Sequence, residues 1–202
     1  METYGWLLDQ KRCVECRACE SACKQWNHVE IGVGVRYRQV RVYEIGTFPQ
    51  VRTQALSSAC HHCENAYCMK VCPVKAISRR PEDGTVQIDQ DKCVGCQQCY
   101  AFCPYGAPQF NQRTRKMEKC TMCVDRIDAG LEPACSSLCP TGALTWGKWS
   151  EIDLDAARWD IPAERMKMKT PHIVPLSAQA LEVLRTLKLV TGQSEYLFPG
   201  ER

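Results

Sequence analysis

The stretch DQDKCVGCQQCYAFCP, residues 89–104, decides how this chain is read. Cys93, Cys96 and Cys99 recur at every third residue, and Cys103 follows after one step of four. Three thiols so spaced can turn toward one centre from a tight loop. The fourth lies on the following helical turn, which Pro104 cannot extend. Working outward, the chain holds sixteen cysteines in four groups of four, with none left over. Cys13, Cys16, Cys19 and Cys23 repeat the spacing of the first run, and each run has an aspartate four residues upstream, Asp9 and Asp89. This is an internal repeat. Cys60, Cys63, Cys68 and Cys72 form a looser copy. Cys120, Cys123, Cys135 and Cys139 form another, opened by the insertion VDRIDAGLEPA. Three groups end in related tails, CPVKAI, CPYGAP and CPTGAL, whereas the first ends in Cys23-Lys24.

The N-terminus, METYGWLLDQKRC, has no apolar run of signal-peptide length, and no stretch approaches the roughly 18 apolar residues of a membrane span. Disulfides belong to an exported context that nothing here indicates, so metal ligation is the leading reading. Zinc sites use paired C-x-x-C or added histidines and need no third cysteine at the same step. The full constellation therefore points to [4Fe-4S] clusters. A radical enzyme would want a further cysteine where Trp26, Lys75, Gly106 and Gly142 stand, and no phosphate loop of the G-x-x-x-x-G-K type occurs. His61 and His62 sit beside a complete set of four cysteines, so they are expected to be exposed or to donate hydrogen bonds near sulfur, not to ligate. Trp26 is expected to pack.

With 26 Lys and Arg against 23 Asp and Glu, the charge is nearly balanced and does not suggest nucleic acid. Arg36, Arg38 and Arg41 read as a solvated strand face. PEDGTVQID predicts a turn at Asp83-Gly84 and a short strand with Val86 and Ile88 inward. The insertion before Cys135 reads as a solvated loop with a turn at Ala129-Gly130. No thiol follows Cys139, so the composition divides the chain into residues 1–148 and 149–202.

The segments YGWLLDQKRCVECRACESACK, CHHCENAYCMKVCPVKAI, DGTVQIDQDKCVGCQQCYAFCPYGAPQFN and KCTMCVDRIDAGLEPACSSLCPTGAL, over about residues 4–147, resemble the four-cluster iron-sulfur subunit of the dimethyl sulfoxide reductase type. The resemblance implies an α+β fold of two ferredoxin-like [4Fe-4S] modules, group one pairing with group four and group two with group three. It implies one cluster on Cys13, Cys16, Cys19 and Cys139, and a second on Cys120, Cys123, Cys135 and Cys23. A third would sit on Cys60, Cys63, Cys68 and Cys103, and a fourth on Cys93, Cys96, Cys99 and Cys72. Such a subunit is not catalytic. It relays electrons in anaerobic respiration between a quinol-reactive integral membrane anchor and a molybdopterin catalytic subunit, and it is peripheral, held at the membrane by its partners. It lies in the cytoplasm or is exported with a signal-bearing partner. A soluble polyferredoxin is the alternative.

Beyond Trp149, WSEIDLDAARWDIPAERMKMKTPHIVPLSAQALEVLRTLKLVTGQSEYLFPGER resembles a fragment of a phage-type tyrosine recombinase, a β-hairpin followed by a helix. Arg158 to Ile161 and His172 to Val174 read as strands. Ser177 opens a helix with Ala180, Leu181, Leu184 and Leu187 on one face, and Gly192 is its stop. Lys167 would match that family's hairpin lysine. Its arginine, His-x-x-Arg and nucleophilic tyrosine have no counterpart, and Tyr196 lies outside the nucleophile segment. The implied segment is truncated and performs no recombination.

Overall fold

The computed structural model describes residues 4–31, 34–148, 151–153, 155–163, 170–176 and 178–191. Trp149, Lys167, Ser177, Gly192 and Tyr196, and the side chain of Leu187, lie outside the described residues. The fold is α+β, with short strands and helices strung between the cysteine groups. In chain order the elements are β1 (Tyr4–Leu8), α1 (Ala18–Trp26), β2 (Arg38–Thr47), β3 (Gln50–Ala59), α2 (Tyr67–Lys70), β4 (Ile77–Arg79), β5 (Val86–Ile88) and α3 (Gln98–Ala101). There follow β6 (Gln109–Asn111), β7 (Lys116–Glu118), α4 (Val124–Asp128), α5 (Ala134–Ser137), β8 (Leu144–Lys148), β9 (Ile152–Asp153), β10 (Arg158–Ile161), β11 (His172–Pro175) and α6 (Ala178–Thr191).

Each small antiparallel pair joins the strand leaving one cysteine group to the strand entering another. β4 leaves group two and pairs with β5, which enters group three; β6 leaves group three and pairs with β7, which enters group four. β1 enters group one and pairs with β8, which leaves group four, in the register Trp6↔Trp146 and Leu8↔Leu144. The pairing brings the first and last groups together. α1 packs against α5, and α2 against α3. Val86 is 1 % exposed and Ile88 packs on the same core with Ile77, Cys99 and Met117, so the strand after the Asp83-Gly84 turn faces inward as its alternation predicts.

Between groups one and two, β2 and β3 form a ten-residue hairpin in the register Arg38↔Ala59 to Thr47↔Gln50. Its base is buried and its outer half exposed. The three arginines do not share a solvated face. Arg36 and Arg41 are exposed, but Arg38 turns inward with Val40 at the strand's buried end. Trp26 does not pack in the core either. It is 42 % exposed, donates Nε1–H to Asp125 Oδ2 at 2.7 Å, and has the Arg126 guanidinium 4.4 Å over its ring. The insertion after Cys123 is α4, ended by Gly130 at φ 72 with the Leu131 N–H returning to the Arg126 carbonyl.

The C-terminal strands form where alternation places them, but β9 adds a third strand to the hairpin, giving the order β11-β10-β9. Trp159, Ile161, Leu176 and Leu184 make a buried core there, and Leu7 of β1 packs against it. The indole of Trp159 lies on Gly147 of β8 so closely that a Cβ at residue 147 would overlap the ring. Glycine is what lets this segment sit on the body.

Candidate metal centres

Each cysteine loop is shaped by left-handed residues at repeated positions. The second residue after the opening cysteine has positive φ in all four groups: Glu15 at 59°, His62 at 48°, Gly95 at 68° and Met122 at 61°. This curl turns the following backbone back over the sulfur, and the N–H groups of His62 and Met122 donate to Cys60 Sγ and Cys120 Sγ at 3.5 and 3.3 Å. At residue 95 a Cβ would run into the Arg115 carbonyl, which makes glycine necessary there. Arg17 at φ 58 and Gln97 at φ 63 repeat the turn and open α1 and α3. The upstream aspartates anchor these loops: the Asp9 carbonyl accepts the Cys13 N–H at 3.2 Å and the Asp89 carbonyl the Cys93 N–H at 3.0 Å.

A second repeated device follows the closing cysteine of three groups. Lys75, Gly106 and Gly142 all have positive φ, and the chain then returns an N–H to sulfur: Ala76 to Cys72 at 3.2 Å, Ala107 to Cys103 at 3.4 Å and Leu144 to Cys139 at 3.4 Å. Group one lacks the proline and runs on as helix to Trp26. There the side chain of Asn27 supplies the donor, its Nδ2 lying 3.8 Å from Cys23 Sγ and 3.6 Å from Cys123 Sγ. Thr121 Oγ1 holds the Asn27 Oδ1 at 3.0 Å. Asn27 is a site residue that cysteine spacing alone does not reveal, though its position four after Cys23 matches that of Ala76 and Ala107 in their groups.

All sixteen cysteines are free thiols. Cys13, Cys16, Cys19 and Cys139 line one small cavity, and Cys72, Cys93, Cys96 and Cys99 line another. Burial, then Cys120, Cys135 and Cys123, push the Cys23 thiol far up. Burial, then Cys60, Cys103 and Cys68, push Cys63 up to about 11. In each of these four places the closing cysteine of one group thus lies near members of another: Cys139, Cys72, Cys23 and Cys103. Cys135 is also an electrostatic neighbour of Cys19, Cys120 of Cys60, and Cys99 of Cys68. Cys16 and Cys96 are exposed, and Cys23, Cys60, Cys99, Cys120, Cys123 and Cys135 are buried.

Burial is the main cause that raises Cys68 to about 11 and Cys99 and Cys120 to about 12. At Cys139 burial also acts upward, but N–H donors from Leu144, Ala143 and Thr141 and the Thr141 hydroxyl outweigh it and hold the thiol below its ordinary value. Binding of metal by these buried thiols would therefore release their protons. Among the described residues no three His, Cys, Asp or Glu converge tightly enough for a single ion. The thiol sets with N–H groups aimed at sulfur fit a cubane, which spreads its four ligands around a larger core.

His62 does donate near sulfur, though through its backbone N–H, and neither His61 nor His62 is exposed. His62 is buried, its Nδ1 accepting the Val86 N–H at 2.9 Å while its backbone donates to Cys60; His61 is half-buried with its ring 4.3 Å from that of Tyr105. Burial and neighbouring cations hold His62 well below its ordinary value, so it is neutral. Arg79 donates to the carbonyls of Cys63 and Glu64 and pins that loop.

Comparison with known proteins agrees with this donor set. Residues 51–149 match the 4Fe-4S dicluster domain family. The chain is 38 % identical to the B component of anaerobic dimethyl sulfoxide reductase from Escherichia coli K12 over 184 residues, covering 85 % of this chain and 87 % of that protein. It is 42 % identical to the thiosulfate reductase electron transfer subunit of Salmonella typhi, covering 77 % and 80 %. To the B component of sulfite dehydrogenase from Allochromatium vinosum it is 36 % identical, covering 78 % and 73 %. The Escherichia coli alignment covers more of the chain than its first 148 of 202 residues make up, so the similarity runs past Lys148. Among the described residues no helix is long and apolar enough to cross a membrane. With cysteine groups built for iron-sulfur ligation and relatives of this kind over most of its length, the chain belongs to the iron-sulfur electron-transfer subunits of the dimethyl sulfoxide reductase family, which serve catalytic subunits and are not themselves catalytic.

Proposed function

We propose that the chain carries four [4Fe-4S] clusters in two ferredoxin-like modules. One would be held by Cys13, Cys16, Cys19 and Cys139, the next by Cys120, Cys123, Cys135 and Cys23. The third set is Cys60, Cys63, Cys68 and Cys103, and the fourth Cys93, Cys96, Cys99 and Cys72. What supports this reading is that Cys139 lines a cavity with Cys13, Cys16 and Cys19, and Cys72 one with Cys93, Cys96 and Cys99, as the closing cysteine of the other group would in a two-cluster ferredoxin. When bound, the clusters supply a one-electron relay. The protein's part would be to hold the sets in the order of the neighbours Cys19–Cys135, Cys120–Cys60 and Cys68–Cys99, to bury Cys23, Cys120, Cys123 and Cys135 of the second set, and to present Cys16 and Cys96 at the two ends.

In this reading the relay joins a quinol-reactive integral membrane anchor to a molybdopterin catalytic subunit, as the membership of multi-subunit reductases implies, and the chain is held at the membrane by those partners. The test is purification from detergent-solubilised anaerobic membranes. A molybdenum-bearing chain should copurify, and added quinol should reduce the clusters of the complex. A chain that purifies alone from the soluble fraction and is indifferent to quinol is a polyferredoxin instead.

The proposed organisation is an electron-transfer domain over residues 1–148 and a segment over 149–202 that resembles a truncated recombinase and processes no DNA. What supports separating them is the absence of any thiol after Cys139 and the segment's own core around Trp159.

A further inference from the structure

One buried charge lies among the cysteine sets without being a ligand. Arg38, at the inner end of β2, is 2 % exposed. Its guanidinium lies 4.2 Å over the Trp6 ring, and Trp6, like Cys19 and Cys139, packs against the buried cluster of Cys23, Cys135 and Leu144. Nη1 donates to the Ser57 carbonyl at 3.4 Å and to Ser57 Oγ at 3.2 Å, and that hydroxyl is 3.4 Å from Cys19 Sγ. Nε and Nη2 are buried and find no oxygen or nitrogen acceptor among the described residues, and the Cys135 sulfur is a partner within the guanidinium's reach. The nearby carboxylate, Glu20, is engaged by Arg17, by Arg36 and by the Val40 N–H.

A buried guanidinium without a carboxylate is expensive unless other negative charge compensates it. The groups positioned to do so are sulfurs. Through the Ser57 hydroxyl the guanidinium is linked to Cys19 of the first set, and across the Trp6 ring it stands over the cluster that holds Cys23 and Cys135 of the second. It stands where those two sets adjoin.

We propose that Arg38 is a tuning residue of the relay, a fixed buried cation between the Cys13–Cys16–Cys19–Cys139 and Cys23–Cys120–Cys123–Cys135 sets that raises the reduction potentials of what they hold. The proposal rests on the four-cluster reading. Each reduction adds one negative charge to a thiolate-ligated core. A cation held nearby in a medium of low dielectric favours the reduced form, and because it is buried, salt does not screen it away. Arginine suits the place because its planar guanidinium can stack on the Trp6 ring while donating to Ser57.

The test uses the full chain, anaerobically purified in its complex, as wild type, Arg38→Gln and Arg38→Lys. Iron and sulfide are measured first, then each cluster potential by redox titration followed by paramagnetic resonance. In Arg38→Gln, one or both potentials of the first two sets should fall, with a change of about tenfold in the reduction equilibrium, about 59 mV for one electron. The Cys60 and Cys93 sets should hold their values. Four unchanged potentials, or four that move together, overturn the proposal. If Arg38→Gln loses iron, Arg38→Lys decides: full iron with wild-type potentials supports a charge effect, and potentials lowered as above despite the retained charge refute it. A wild-type chain without four clusters instead refutes the reading on which the proposal rests.

Discussion

Replacing Trp159 with alanine should detach the C-terminal segment while leaving the cysteine sets filled. Trp159 is 1 % exposed, lies flat on Gly147 and donates Nε1–H to Glu151 Oε2 at 3.0 Å, a carboxylate that also accepts the Lys148 N–H at 3.2 Å. It is the largest member of the core it shares with Ile161, Leu176 and Leu184. Truncating a buried tryptophan costs about 3–5 kcal/mol. At about 1.4 kcal/mol per tenfold change, the opened form of the segment should become at least about a hundredfold more populated. Limited proteolysis under conditions where opening and reclosing are fast reads that population directly. Cleavage between residues 149 and 170 should accelerate by about the same factor, releasing a fragment that keeps every cysteine and its iron. An unchanged cleavage rate, or iron lost in step with cleavage, would refute the idea that the segment is a separable unit resting on β1 and β8.

Two further substitutions probe the sets themselves. Asn27→Leu removes the amide that lies 3.6 and 3.8 Å from Cys123 Sγ and Cys23 Sγ together with its bond to Thr121, interactions of about 1 kcal/mol each; the potential of the Cys120 set should fall, and a titration showing the change in the Cys93 set instead would contradict the assignment. Cys72→Ser should damage the set of Cys93, Cys96 and Cys99 while sparing that of Cys60, Cys63 and Cys68, as resolved by paramagnetic resonance of the reduced variant. Damage confined to the Cys60 set would contradict the exchange of closing cysteines.

Ligand spacing is a property of the chain itself, which is why the cysteine groups, the β5 strand with Val86 inward and the two strands of the C-terminal hairpin are all legible in the sequence. What escapes such a reading depends on contacts between distant residues. Alternating arginines from Arg36 to Arg41 resemble a wet strand face, and only the pairing of β2 with β3 against the Trp6 region turns Arg38 inward. Asn27 stands where its group lacks the proline that announces the other tails, so its role shows only once Cys23 and Cys123 are seen beneath it. Gly147 reads as an ordinary strand glycine until Trp159 is found on it. Nor does a break in composition after Lys148 reveal that Leu7, far away in sequence, packs against the core around Trp159.

The most direct test of the central claim is the iron and acid-labile sulfide content of the anaerobically purified chain. The account predicts about 16 of each per chain, four cubanes on sixteen thiolates. Stoichiometric zinc without sulfide, or iron near half that value in a sample whose remaining cysteines all react with an alkylating agent, would contradict it.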